Sequence, residues 1–153
     1  MNMMSNPHFE TLPSWKAART MLKFQPLEPE ETAAYRLQSI CIHVRDHKLR
    51  ELSIADRTLE AHYDAFVFSQ ARKDASEARR LALAVPYGPD VCDVKIAGCS
   101  GRAYERGPEV PPEDIDGRGP AVVTWHDGEM FYLIASDAMS AAELVRIAGS
   151  LYE

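Results

Sequence analysis

A chain of 153 residues with a formal net charge of −6 has the size of one domain with a single core. Its composition, 46% hydrophobic and 26% charged, is typical of globular rather than disordered proteins. The negative charge, with no lysine- or arginine-rich tract, argues against nucleic acid or an anionic membrane surface as the main partner.

The predicted compartment follows from two further features. The N-terminal residues do not show the charged region followed by an apolar run that is typical of a signal peptide, and no run approaches the roughly 20 apolar residues of a membrane span. The three cysteines have no CxxC spacing, and so few of them suit a reducing compartment. We therefore expect a cytoplasmic protein without membrane insertion, with free thiols and with Cys41 and Cys92 buried as small apolar residues.

The first half of the chain predicts one short helix and then a strand. Ser14 is a suitable N-cap for a helix over residues 14–23. Alternating apolar residues over 35–45 predict a strand. Because the alternation changes parity near Gln38 and Ser39, a β-bulge is expected there. The charged stretch 46–57 predicts a connection.

The middle of the chain predicts a hairpin, a helix and two more strands. The hairpin covers residues 58–70 and turns at Asp64-Ala65, and the helix covers 74–84. Strands over 91–97 and 102–106 are expected to flank a turn at residues 98–101. The acidic stretch 107–119, rich in proline and glycine, predicts an exposed loop.

The C-terminal hairpin is the clearest element. Residues 120–135 form two strand-like runs around Asp127-Gly128, which suits a type I′ turn. With these two residues as the loop, Trp125 pairs with Met130. Alternation then gives an apolar first face that should meet the core. That first face carries Ala121, Val123, Trp125, Met130, Tyr132 and Ile134.

The second face of this hairpin is apolar far from the turn and polar near it. We therefore expect it to be either half covered or used for binding. Because the single C-terminal helix does not obviously cover it, it is the predicted binding surface. Its residues, the candidate ligand- or partner-binding site, are Val122, Thr124, His126, Glu129, Phe131 and Leu133.

A helix follows the hairpin. Ser140 and Glu143 form the capping-box pattern, and apolar residues recur at helical spacing from Leu144 to Leu151. Strands followed by helices at the edges predict an α+β domain, an antiparallel sheet with a short N-terminal helix and a C-terminal helix on one face. Residues 1–153 are expected to form this single domain.

The hairpin and helix together resemble a bacterial domain found at the extracytoplasmic end of anti-sigma-factor-like membrane proteins and in relatives of outer-membrane lipoprotein carriers. The specific match covers about residues 120–152, and residues 30–153 are compatible with it. The resemblance implies a curved antiparallel sheet, a sensing or ligand-holding role and no catalytic residues. The residues that carry it are Trp125, Gly128, Tyr132, Leu133, Glu143, Leu144, Ile147, Ala148, Ser150 and Leu151.

Candidate chemistry elsewhere is sparse. In a strand, His43 and His47 share a face but lie about 13 Å apart, too far to bind one ion. The acidic run at Asp114 and Asp116 lacks the further ligands of a calcium loop, and Cys99-Ser100 suits a hairpin turn better than a nucleophile. We therefore expect no metal and no cofactor.

The sequence favours a non-catalytic binding or sensing module that holds an apolar ligand or a protein partner against its sheet. Two alternatives remain open. One is a small hydrolase-type enzyme that uses His43, His62 or His126 with a nearby carboxylate. The other is a structural homo-oligomer in which the uncovered face pairs with a copy of itself.

Overall fold

A computed structural model describes residues 8–30, 32, 35–46, 48–83, 91–105 and 121–152. The strands are β1 (Phe9–Leu12), β2 (Leu37–His43), β3 (Thr58–Tyr63), β4 (Val67–Arg72), β5 (Val91–Ile96), β6 (Cys99–Glu105), β7 (Ala121–Asp127) and β8 (Met130–Ser136). The helices are α1 (Trp15–Arg19), α2 (Ala75–Ala82) and α3 (Ala141–Ser150), and a 3₁₀ turn covers Ile54–Asp56.

The eight strands of the described residues form one antiparallel sheet in the order β1-β2-β3-β4-β8-β7-β6-β5. Each half of the chain contributes a four-stranded meander, and the two meanders meet where β4 pairs with β8. The curved antiparallel sheet and the α+β class predicted from the sequence are confirmed. Within the described part of the chain, no helix is long and apolar enough to cross a membrane.

The first face of the C-terminal hairpin continues across the whole sheet as the core. One row of paired residues runs from Ile42 through Leu59, Gln70 and Tyr132 to Trp125. The helices α1 and α3 pack on this face, as does the segment 21–30. They contribute Ala18, Leu22, Phe24, Leu27, Leu144, Ile147 and Ala148 to the same core. The predicted packing of both terminal helices on one face is therefore confirmed.

Helix α2 lies on the opposite, second face, which corrects the expectation that all helices share one side. Thr124 points to the second face, and its hydroxyl donates to the Ala82 carbonyl at 2.7 Å. Arg102, the cross-strand partner of Thr124, donates to the Leu83 carbonyl at 2.8 Å. The apolar second-face positions of β7 and β8 need cover, and the small side chains of α2 allow it to pack closely there.

The C-terminal hairpin has the predicted faces but a different turn. Its loop is Gly128-Glu129, because Asp127 pairs with Met130 and Trp125 pairs with Tyr132. Only the first loop residue has a positive φ, 58° at Gly128, as in a type II′ turn. Each predicted partner is therefore displaced by two residues. A displacement of two keeps the side-chain parity, so every residue stays on its predicted face.

The hairpin of β5 and β6 also turns earlier than predicted. Ala97 and Gly98 form its two-residue loop, both with positive φ, so the predicted turn at 98–101 is wrong. Gly101 lies inside β6, where an added Cβ would approach Trp125 Cβ to 2.7 Å. Glycine is needed there for a close approach between strands rather than for a turn.

Of the other local predictions, some are confirmed and others are wrong. The bulge in β2 is confirmed between Leu37 and Ser39, whereas α1 ends at Arg19, before the predicted boundary. Cys41 is buried as predicted, but Cys92 is exposed because β5 is an edge strand with a neighbour on one side only. The predicted exposed loop at 107–119, with its candidate calcium ligands, and His47 lie outside the described residues.

Candidate functional site

The predicted binding residues are split by α2. Val122 and Thr124 are 5% and 3% exposed and lie beneath this helix. His126, Phe131 and Leu133 are half-buried on the same face. The sixth residue, Glu129, is exposed in the β7–β8 turn and forms an ion pair with Arg72 at 3.0 Å. The set is thus not one continuous surface.

Helix α2 packs on β6, β7 and β8, and the second face continues on β2, β3 and β4. We call this area the open face and define it by His43, Glu60, His62, Val67 and Ser69, all of which are half-buried. Antiparallel register places them together, because Glu60 on β3 pairs with Cys41 on β2 and with Ser69 on β4.

Glu60 is the centre of a polar cluster on the open face. Its carboxylate contacts His62 through Oε1, 2.8 Å from Nε2, and His43 through Oε2, 3.4 Å from Nε2. The two histidines approach the carboxylate from opposite sides. His62 lies two residues after Glu60 on β3, whereas His43 lies two residues after Cys41, the partner of Glu60 on the antiparallel strand β2. The carboxylate therefore bridges two imidazoles.

The surroundings of Glu60 fix its charge. Hydrogen bonds from His43 and then from His62 hold the pKa of the Glu60 carboxyl well below its usual range and outweigh the opposing effect of burial. Beside it, burial and the Glu60 carboxylate raise the pKa of the Cys41 thiol to about 11. The cluster at neutral pH thus contains an ionised carboxylate and a protonated thiol.

Three metal-ligating side chains meet in this cluster. Cys41, Glu60 and His62 each place one donor atom so that all three atoms lie within 4.8 Å of one another. Their exposure is graded, from 5% for Cys41 to 39% for the His62 side chain. The donors thus form a shallow site that opens from the sheet towards solvent.

Of the three histidines considered for the enzyme alternative, the structure brings two together. His43 and His62 meet at Glu60, whereas His126 lies on β7, four strands away from His43 in the same row. At about 4.8 Å per strand this is ~19 Å along the sheet. No sequence pattern singled out Glu60, and Cys41 was predicted to be a buried small apolar residue. The sequence signal that could have found the cluster was the alternation in β3, where Thr58, Glu60 and His62 lie on the face opposite the apolar residues.

Comparison with protein-family models, with curated proteins and with solved structures gives no match for the chain. The fold and the cluster therefore define it by class, as an α+β protein with an open eight-stranded antiparallel sheet and a His–Glu–His centre on one face. The resemblance of residues 120–152 to the anti-sigma-factor-like domain stays a prediction.

Proposed function

We propose that the protein is a non-catalytic binding module that holds a protein partner against its open face. One observation carries this proposal: the first face is filled by the chain's own elements, and α2 takes part of the second. The open face is a further surface of the described strands, and its side chains are half-buried rather than fully solvated.

A protein partner fits this surface better than an apolar small molecule. Small apolar ligands bind in concave sites that enclose most of their surface. The open face lies on a sheet and mixes Val67 and Ser69 with the charged Glu60. Such a mixture is typical of the surface of a non-obligate protein interface.

The charge of the open face indicates a partner with basic side chains. Glu60 supplies a carboxylate to the open face, and its two oxygens contact His62 and His43. The chain as a whole carries a net charge of −6, which steers basic surfaces towards it. We therefore expect lysine or arginine at the partner's contact surface.

Site-specific photocrosslinking in the native host cell tests the proposal. A photoreactive residue replaces Ser69 on the open face or, as the matched control, Lys95, which is exposed on the edge strand β5. We expect a crosslinked protein from position 69 and none from position 95. That protein, once purified, should bind the wild type, and Ser69→Arg and Glu60→Lys should each weaken binding at least about tenfold.

Three outcomes would overturn the proposal. Equal products from both positions would indicate non-specific contact, and unchanged affinity in both variants would remove the open face from the interface. A crosslink between two copies of this chain would instead establish the homo-oligomer alternative. Circular dichroism of the two variants separates lost binding from lost folding.

An enzyme is the second candidate, and one observation favours it. His43 and His62 both contact a carboxylate, the arrangement that orients an imidazole as a general base. The neighbouring nucleophile weakens this reading, because a buried thiol with a raised pKa contains little thiolate at neutral pH. The geometry therefore favours binding over nucleophilic catalysis.

A further inference from the structure

We propose that Cys41, Glu60 and His62 form a binding site for one divalent transition-metal ion, with Zn²⁺ as the best match. This site goes beyond partner binding, and it shares Glu60 and His62 with the open face. The donor atoms come from two adjacent strands, and the register that pairs Cys41 with Glu60 brings them together.

The distances among the donors are close to those a metal requires. In tetrahedral Zn²⁺ sites, bonds of about 2.0–2.3 Å separate neighbouring donor atoms by about 3.3–3.6 Å. The three atoms here lie within 4.8 Å of one another, and the closest named pair, His62 Nε2 and Glu60 Oε1, is 2.8 Å apart. Side-chain rotations alone can adjust such differences, because the strands hold the backbone positions.

The chemistry of the donors selects the kind of ion. A thiolate, an imidazole and a carboxylate together suit Zn²⁺ or a neighbouring transition metal, whereas Mg²⁺ and Ca²⁺ prefer sites made of oxygen alone. Binding forms a bond from the metal to Cys41 Sγ, and the thiol proton leaves to solvent. His62 binds through a ring nitrogen whose proton moves to the other nitrogen.

His43 acts as a positioning residue rather than as one of the three ligands. It contacts Glu60 Oε2 and leaves Oε1 beside His62. Outer contacts of this kind orient a ligating carboxylate, and their loss commonly weakens metal binding by ten- to a hundredfold. Three protein ligands leave the fourth tetrahedral position on the solvent side, where the His62 side chain is 39% exposed.

Titration of the purified, chelator-treated full chain with Co²⁺ tests the site. Cobalt bound to a thiolate gives a near-ultraviolet charge-transfer absorption, which reports the Cys41 bond directly. We expect one Co²⁺ per chain, displaced by one Zn²⁺. Cys41→Ser should abolish the thiolate absorption, and His62→Gln should weaken Co²⁺ binding at least about tenfold. Cys92→Ser, which removes an exposed thiol of the edge strand, should leave both unchanged.

The same titration can overturn the inference in two ways. The wild type could bind no Co²⁺ at micromolar concentration, or the thiolate absorption could survive in Cys41→Ser and disappear in Cys92→Ser. His62→Gln lies at a half-exposed position and keeps the test decisive if Cys41→Ser does not fold. Because the isolated chain is used, a negative result leaves the partner proposal intact, and a failed crosslink leaves the metal site intact.

Discussion

The side chain of Gln70 forms two hydrogen bonds with the backbone of Leu27. Its Oε1 accepts from the Leu27 N–H at 2.9 Å, and its Nε2 donates to the Leu27 carbonyl at 2.7 Å. Gln70 is fully buried at the centre of the first face, so it attaches the segment 21–30 to the sheet much as a neighbouring strand would. This attachment holds the segment over the core side of the sheet.

Gln70→Leu should destabilise the protein. The substitution leaves both backbone groups of Leu27 without these partners in a partly buried place, which costs about 1–3 kcal/mol for each unsatisfied group. We expect the free energy of unfolding in urea to fall by at least about 1 kcal/mol. Ser69→Ala, the adjacent change on the open face, is the control and should alter it by less than about 0.5 kcal/mol. Equal effects of the two changes would contradict this account.

Two glycine substitutions should have opposite effects. An alanine Cβ at Gly101 would lie 2.7 Å from Trp125 Cβ and press on the Thr124 carbonyl, so Gly101→Ala should cost about 1–3 kcal/mol or more. A Cβ at Gly149 in α3 meets nothing within 4 Å, and Gly149→Ala should stabilise the protein by about 0.5–1 kcal/mol. Thermal unfolding of the pair measures both. A neutral Gly101→Ala would show that β6 and β7 are not this close.

The cysteines should react with iodoacetamide in a fixed order. Cys92 is exposed and should react first, and Cys99 is half-buried with a pKa raised by burial and by Asp127. Burial and then the Glu60 carboxylate raise the pKa of Cys41 to about 11, so its alkylation should be at least about tenfold slower than that of the exposed Cys92 until the protein unfolds. Peptide mass spectrometry of timed samples gives the three rates. Rapid alkylation of Cys41 in the folded protein would refute its burial.

Glu60 should make the metal-free protein sensitive to acid. Its pKa is lowered in the folded state, so its stabilising contribution is present above the unfolded value of about 4.3 and is lost as the pH falls towards the folded value. In the wild type, the free energy of unfolding should fall as the pH drops below about 4.3. Glu60→Gln should reduce the slope of this fall by up to about 1.4 kcal/mol per pH unit. Urea titrations at several pH values measure this slope. Glu10→Gln, at an exposed residue of β1, controls for the change of net charge.

Local patterns accounted for most of the elements. Alternation assigned Trp125, Tyr132 and Ile134 to the core face, and the Ser140–Glu143 capping box marked the start of α3. The turn of β7 and β8 was misplaced because Asp-Gly suits a type I′ loop, whereas the chain uses Gly128 as the first loop residue. Face assignment survived that error because parity depends on spacing along each strand rather than on the turn.

The candidate site was beyond the reach of local patterns. Cys41 and Glu60 are neighbours only through the register of two strands separated by a connection, and that register is fixed by the packing of the first face. The position of α2 on the second face is equally non-local. Without it, Val122 and Thr124 looked accessible, although the helix buries both. Because of these tertiary contacts, the candidate site lies on β2 and β3 rather than on β7 and β8.

The bulge in β2 makes Gln38 a natural site for a change in chain length. Leu37 pairs with Tyr63 and Ser39 with His62, so the exposed Gln38 is the extra residue between them. A homologous chain without it could keep both pairings in an uninterrupted ladder and leave the metal-ligating side chains in place. Loss of Ile40 instead would shift the rest of the strand by one residue. Buried side chains would then face solvent, and solvated ones would face the core. A one-residue shortening at Gln38 should therefore leave the cluster around Glu60 undisturbed.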